Sequence, residues 1–268
     1  MKHITSRENT HYKELVRLAR SSRARREAET IVLDGVHLVQ AYIEHFASLP
    51  LRLFIKHSAQ DHREIAALSA SGSSVMLLDD VLFDRATPVQ SPAGIMAIAP
   101  RPSVTVSKPA AGFHVLLDAV QDPGNLGAII RSAAAAGAAA VHLSSECADP
   151  WSPKALRGGM GGQFVIAVEQ HAELSTAASA LGVRLIACVA SAPISLFDAD
   201  LRGPAGFILG GEGAGISAPL LQQAHQLLRI PMSEGIESLN AAAAASVIFY
   251  ERFRQTTSAS FAARTVEQ

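Results

Sequence analysis

Several stretches in the second half of the chain are continuously apolar: "FHVLLDAV" (113–120), "AAVHLSS" (139–145), "VRLIACVA" (183–190) and "GFILGGE" (206–212). A strand with one wet face alternates polar and apolar residues, so runs like these are buried on both faces. That requires a parallel sheet covered by helices, an α/β architecture. "FVIAVEQ" and "QLLRIPM" read as further strands, and helical stretches such as "AELSTAASALG" and the segment from "SLN" onward lie between or after them. Ligands in such folds sit beyond the carboxyl ends of the strands, so the loops that follow these runs are where chemistry is expected.

The first hundred residues repeat the alternation on a smaller scale. "TIVLDG", "LRLFIKH", "SVMLLDD" and "GIMAIAP" read as strands, and "VHLVQAYIEH" and "REIAALSAS" as helices. Residues 101–112, rich in proline and poor in large apolar side chains, have the composition of a linker, so the expected organisation is 1–100, a linker, and 113–268. The formal charge of −1 hides an asymmetry: residues 1–30 hold eight Lys or Arg against four Asp or Glu. Lys13, Arg17 and Arg20 recur at helical spacing opposite Leu15, Leu18 and Ala19, and Arg23, Arg25 and Arg26 follow; the run reads as a solvated face or a phosphate grip. Two distant cysteines, Cys147 and Cys188, offer no disulfide framework, and a reducing cytoplasm fits. No apolar run is long enough to span a bilayer, and the ten histidines are scattered without H-E-x-x-H spacing, so neither a membrane nor a metal is expected.

Three strand-end loops carry the candidate chemistry. "QDPGNLG" (121–127) turns into a helix, with Asn125 suited to cap it; "LGGEGAGIS" (209–217) is dense in glycine, which lets backbone amides approach a ligand; "IPMSEGIESLN" (230–240) enters the last helix with Ser238 at a capping position. Just beyond the first loop stands Arg131, whose helical neighbours Gly127, Ala128, Ala134 and Ala135 cannot pair with a guanidinium. Gly213, Gly215 and Ala218 meet a relaxed dinucleotide fingerprint, which leaves a dinucleotide-dependent oxidoreductase as one alternative. The next strand, however, ends "LLRIPM", without the carboxylate that would hold a ribose.

Together, "DAVQDPGNLGAIIR", "FILGGEGAGIS" and "IPMSEGIESLNAAAAA" resemble the three signature motifs of the SpoU/TrmH family of SPOUT-class RNA ribose methyltransferases, and "ITSRENTHYKEL" and "LDGVHLVQ" resemble its accessory RNA-binding domain. The resemblance implies a C-terminal parallel-sheet domain with a deep trefoil knot, a smaller N-terminal α/β domain that recognises structured RNA (ribosomal ahead of transfer RNA), and a homodimer. It implies S-adenosylmethionine held by Cys188, Val189, Leu209, Gly210, Gly211, Ile230, Met232, Ser238 and Leu239. It also implies methyl transfer to a ribose 2′-hydroxyl served by Arg131, Asn125, Glu212, Ser238 and Asn240, with no metal. A non-catalytic RNA-binding protein of the same fold is the other alternative. One departure from the family pattern is "LRGGMGGQF" (156–164), whose glycines Gly158 to Gly162 are expected to give a more mobile loop.

Overall fold

The computed structural model of the chain describes residues 2–70, 74–89, 92–104, 112–171 and 173–265. Most of the expected linker, residues 105–111, lies outside them. In chain order the elements are β1 (Lys2–Ile4), α1 (Thr10–Arg20), α2 (Ser22–Glu27), β2 (Thr30–Asp34), α3 (Val36–His45), β3 (Arg52–Lys56), α4 (Arg63–Ser69), β4 (Ser74–Leu78), α5 (Asp80–Ala86) and β5 (Ile95–Pro100). There follow β6 (Phe113–Asp118), α6 (Pro123–Ala135), β7 (Ala138–Ser144), α7 (Pro153–Gly159), β8 (Ala167–His171), α8 (Leu174–Ala180) and β9 (Arg184–Cys188). The last are β10 (Ile194–Ser195), β11 (Ala205–Gly210), α9 (Ala218–Gln223), β12 (Gln226–Arg229) and α10 (Ala241–Thr265). The chain divides into two compact units, Met1–Ser103 with Asp149–Phe164, and Val104–Ala148 with Val165–Gln268. The excursion Asp149–Phe164 therefore leaves the run expected as one 113–268 domain and packs with the first unit.

The first unit is built on a sheet of order β1-β4-β3-β5-β2, in which β5 runs antiparallel to both β2 and β3. Both sheet faces are covered. One carries Leu15, Leu18, Phe54 and Phe83; the other carries Ile31, Leu53, Tyr42 and, from the excursion, Leu156 and Phe164. Each large apolar side chain buried in this way contributes about 1.5–3 kcal/mol relative to exposure. Helix α1 lays its expected apolar stripe inward and is capped by the Asn9 side chain, which accepts from the His11 amide at 3.0 Å.

Two expectations for this unit are corrected. Arg25 is no surface cation, because its side chain is 4% exposed. Its Nη1 donates to the Leu18 carbonyl at 2.8 Å, closing the end of α1, and its Nη2 donates to Ser22 at 2.8 Å and to Asp149 at 2.5 Å. The other members of the basic run are exposed: Lys13 pairs with Glu8, Arg23 with Glu27, and Arg20 donates to the Arg85 carbonyl, while Arg17 and Arg26 also face solvent. In the 158–162 segment, Gly159 is required by packing. Gln163 is fully buried and donates to the carbonyls of Pro150 and Ala155, and a Cβ on Gly159 would fall 2.1 Å from its Oε1.

In the second unit every strand pairing is parallel, in the order β10-β12-β9-β11-β6-β7-β8, as the apolar runs demand. Helices α6 and α10 cover one face through Leu126, Ile129, Ile130, Ala245 and Ile248. Phe249 from α10 closes a ring cluster with Phe113 of β6 and Phe207 of β11, at centroid distances of 5.3 and 6.3 Å. Helices α8 and α9 cover the other face through Leu174, Ala178 and Leu220. Among the described residues, no helix is long and apolar enough to cross a membrane.

The Arg25–Asp149 pair yields a prediction. Replacing Arg25 with Ala strands a half-satisfied carboxylate and the helix-end carbonyls of Leu18 and Ala19, and is expected to cost about 3–5 kcal/mol in urea unfolding. Arg23→Ala, which removes an exposed pair, is expected to cost less than about 1 kcal/mol.

Candidate functional site

The site grows from two neighbouring strand ends. β6 and β11 lie in register, with Gly210 opposite Asp118 at their carboxyl ends. Asp118, 6% exposed, ties the following loop down twice: its carbonyl accepts from the Gly211 amide at 2.8 Å and its Oδ2 from the Ser217 amide at 2.8 Å. The loop also closes on itself, with Gly211 and Gly215 forming an antiparallel bridge. This approach explains the glycines differently from the sequence reading, which assigned them to ligand access. A Cβ on Gly210 would lie 2.2 Å from the Gly215 carbonyl carbon, and one on Gly211 would lie 2.0 Å from the Ala119 carbonyl oxygen. Ala119 itself is held in the left-handed region at φ 53°, a conformation that non-glycine residues adopt mainly where the surroundings enforce it.

Above these strand ends opens a cavity of about 340 Å³, within the range of small-molecule sites. It is lined by Cys188 and Val189 at the end of β9; by Leu209, Gly210 and Gly211 at the end of β11; and by Ile230, Met232, Ser238 and Leu239 beyond β12. All nine residues, from the ends of β9 and β11 and the segment beyond β12, therefore face one space. Its walls are largely aliphatic, with Leu228 and Ile248 behind them, and its rim offers backbone amides and carbonyls of the glycine loop. This donor set suits a purine held between apolar walls and read by backbone hydrogen bonds. Cys188 contributes as a neutral group, because burial pushes its thiol up to about 12.

A smaller cavity of about 180 Å³, lined by Val120, Gln121, Asp122, Asn125, Glu212 and Ala241, shares Glu212 and Ala241 with the first. Here three polar side chains from three loops converge. Asn125 Nδ2 donates to Glu212 Oε1 at 2.9 Å, and Asn240 Nδ2 donates to Asn125 Oδ1 at 3.0 Å and to Glu212 Oε1 at 3.1 Å. The two capping assignments move by a few residues. Asp122, not Asn125, caps α6, accepting from the Asn125 amide at 2.8 Å. Asn240, not Ser238, caps α10, its Oδ1 accepting from the amides of Ala242 and Ala243. Asn125 is thereby freed for Glu212, and Ser238 is freed to face the cavity.

Arg131 stands apart from both cavities. It is exposed on α6 and makes no hydrogen bond or ion pair among the described residues. Along the same strip of α6 lie the half-buried Gly124 and Ala128 and the exposed Ala135. Asp118 and Ala119 are the site residues that sequence reading missed. A lone carboxylate closing an apolar strand was the available signal for Asp118, whereas a left-handed alanine leaves no mark in a sequence.

Comparison with known proteins follows the same lines. The SpoU rRNA Methylase family profile matches residues 112–250. An uncharacterized tRNA/rRNA methyltransferase of Synechocystis is 32% identical over 263 residues, covering 96% of this chain and 95% of that protein. The 23S rRNA (guanosine(2553)-2′-O)-methyltransferase RlmP of Bacillus subtilis is 31% identical over 252 residues, covering 93% of this chain and 98% of that protein. Among solved structures, an RNA 2′-O ribose methyltransferase superposes with a TM-score of 0.83 at 27% identity over 95% of this chain and 99% of that one. An AdoMet-bound rRNA methyltransferase from Sinorhizobium meliloti superposes with a TM-score of 0.79 at 28% identity over 94% of this chain and 97% of that one.

The loop geometry ranks two substitutions. Gly213, at φ 98°, has nothing within 4 Å of the point where a Cβ would stand, so Gly213→Ala is expected to cost only about 1–2 kcal/mol of backbone strain. Gly211→Ala drives a methyl into the Ala119 carbonyl and is expected to cost more and to displace the 211–217 loop. Urea midpoints and crystal structures of the two variants check the order; equal midpoints with an unmoved loop would contradict it.

Proposed function

The chain belongs to the SpoU rRNA methylase family, and from that premise we propose that it transfers the methyl group of S-adenosylmethionine to a ribose 2′-hydroxyl of structured RNA, ribosomal RNA ahead of transfer RNA. The observation that carries the reading is the convergence of the chain at the ends of β9, β11 and β12 on one cavity beside the Asn125–Glu212–Asn240 network. The cavity fits the cofactor: its aliphatic walls accept the adenine, and the backbone of 209–211 reads the edge of the ring. When bound, S-adenosylmethionine supplies an electrophilic methyl group on a sulfonium, chemistry that needs no metal. The chain's own residues orient and exclude. Glu212, fixed by two amides, holds the glycine loop against Asn240 and so sets the floor on which the ribose rests. Ser238 faces the same space, where its hydroxyl can bond the incoming sugar.

Arg131 is assigned to the substrate. A guanidinium stays protonated at any working pH, so it does not remove the proton. Its role is to grip the adjacent phosphate and stabilise the alkoxide as it forms. Since it lies on neither cavity of its own chain, Arg131 serves the site of a second copy in a homodimer. Two features support the dimer: the small-residue strip around Arg131 permits close approach, and Tyr250 and Phe253 on α10 expose 50% and 41% of their surface. The deep knot belongs to the same proposal, supported by a sheet order in which β9 lies between the later strands β11 and β12.

In the first unit, Lys13, Arg17 and Arg20 line a shallow cleft with Arg7 and Arg85, which supplies sequence-independent attraction for phosphates. The oxidoreductase alternative is not favoured, because the family match is to RNA methylases and the strand after the glycine loop ends "LLRIPM", without a ribose-holding carboxylate.

Three measurements check this. Arg131→Lys is expected to lower methyl transfer about 10²–10³-fold while cofactor affinity in calorimetry stays within twofold. Mixing Arg131→Ala with Glu212→Ala protein is expected to restore activity through hybrid dimers that contain one intact site; a mixture as inactive as its components would refute the shared site. Replacing both Arg17 and Arg20 with Ala is expected to reduce the dependence of log K on log salt by roughly 1.4–1.8.

A further inference from the structure

Strands β6, β7 and β8 carry His114, His142 and His171, and β8 also carries Glu169. The parallel register brings Leu116 beside His142 and His142 beside Glu169, so these side chains share one sheet face at the β8 edge. His142 is buried, while His171 and Glu169 expose 26% and 46% of their side chains. Three ligand-type atoms stand in a near-equilateral triangle: His142 Nδ1 to His171 Nε2 is 3.1 Å, His142 Nδ1 to Glu169 Oε2 is 3.4 Å, and His171 Nε2 to Glu169 Oε2 is 3.5 Å.

A row of hydrogen-bonded imidazoles accounts for the first distance but not for the other two. The carboxylate oxygen is almost equidistant from both nitrogens and too far from either for a good hydrogen bond. Tetrahedral coordination accounts for all three, since bonds of about 2.0–2.1 Å to nitrogen and oxygen set neighbouring ligand atoms about 3.3 Å apart. The remaining nitrogen of the central ring is also engaged, with His142 Nε2 lying 3.0 Å from His114 Nδ1. A proton on Nε2 and donated to His114 leaves Nδ1 with its lone pair toward the triangle, the outer-sphere arrangement that orients a ligating histidine. The exposed side of Glu169 and His171 leaves an entry path and a fourth position for water.

We propose that His142 Nδ1, His171 Nε2 and Glu169 Oε2 form a binding site for a divalent transition-metal ion of the zinc class, which staples the edge strand β8 to β7. Two imidazoles and one carboxylate are borderline donors, suited to zinc or cobalt ahead of calcium or magnesium. The site lies at the opposite end of the strand order from β9 and β12, whose ends line the 340 Å³ cavity, so it is separate from the proposed methyl-transfer site.

The test uses the full-length, untagged protein stripped of metal with a chelator. Zinc is titrated by calorimetry and cobalt by visible absorption. One equivalent of each is expected to bind, the cobalt form showing the intense bands of four-coordinate geometry, and zinc is expected to raise the melting temperature. His171→Ala and Glu169→Gln, both at partly exposed positions and so expected to fold, should each weaken binding at least tenfold and abolish the thermal shift. Circular dichroism verifies their fold. Absence of saturable uptake by the wild-type protein, or wild-type affinity in both variants, would overturn the proposal.

Discussion

How closely the end of β11 can approach the end of β6 governs the larger unit. Asp118 holds two amides of the 211–217 segment, and that grip is possible only because Gly210 and Gly211 present no side chain to Gly215 and Ala119. The loop is thus folded by backbone contacts alone, and Glu212 is delivered to the one place where Asn125 and Asn240 can both reach it. Without the close approach, the three loops would still follow their strands but would not share a floor. Strain at Ala119 is the local cost of the arrangement, offset by the hydrogen bond its amide donates to the Ser144 hydroxyl at 3.0 Å.

Much of this was legible beforehand, for identifiable reasons. Largely apolar runs point to a sheet covered on both faces, so the parallel pairing of the larger unit is legible from burial, whereas its strand order is not. The cavity residues were legible because their loops carry distinctive motifs at strand ends. Helix caps were less so: Asp122 and Asn125 are both capping types, as are Ser238 and Asn240, and the choice within each pair turns on where the backbone first turns helical. Arg25 is hard to place for a related reason, since it shares a basic run with exposed neighbours and the carboxylate that balances its buried charge lies 124 positions away.

The histidines illustrate a different limit. His114, His142 and His171 are spaced by 28 and 29 residues, and no local pattern relates them. They meet because three consecutive strands of a parallel sheet return alternate positions to one face, each histidine lying diagonally from the next, two residues off the directly paired position. Scattered in the sequence, they form a file across the sheet.

The excursion Asp149–Phe164 has a consequence for how such proteins can be rearranged. A piece of chain that begins and ends in one unit completes the interior of the other, supplying Leu156 and Phe164 to its core and Asp149 to its buried arginine. The accessory unit is therefore not a detachable prefix. Transplanting a foreign first unit onto the second, in the laboratory or by recombination, leaves its core incomplete unless the sixteen-residue segment travels with it, so the two units are inherited as a linked pair.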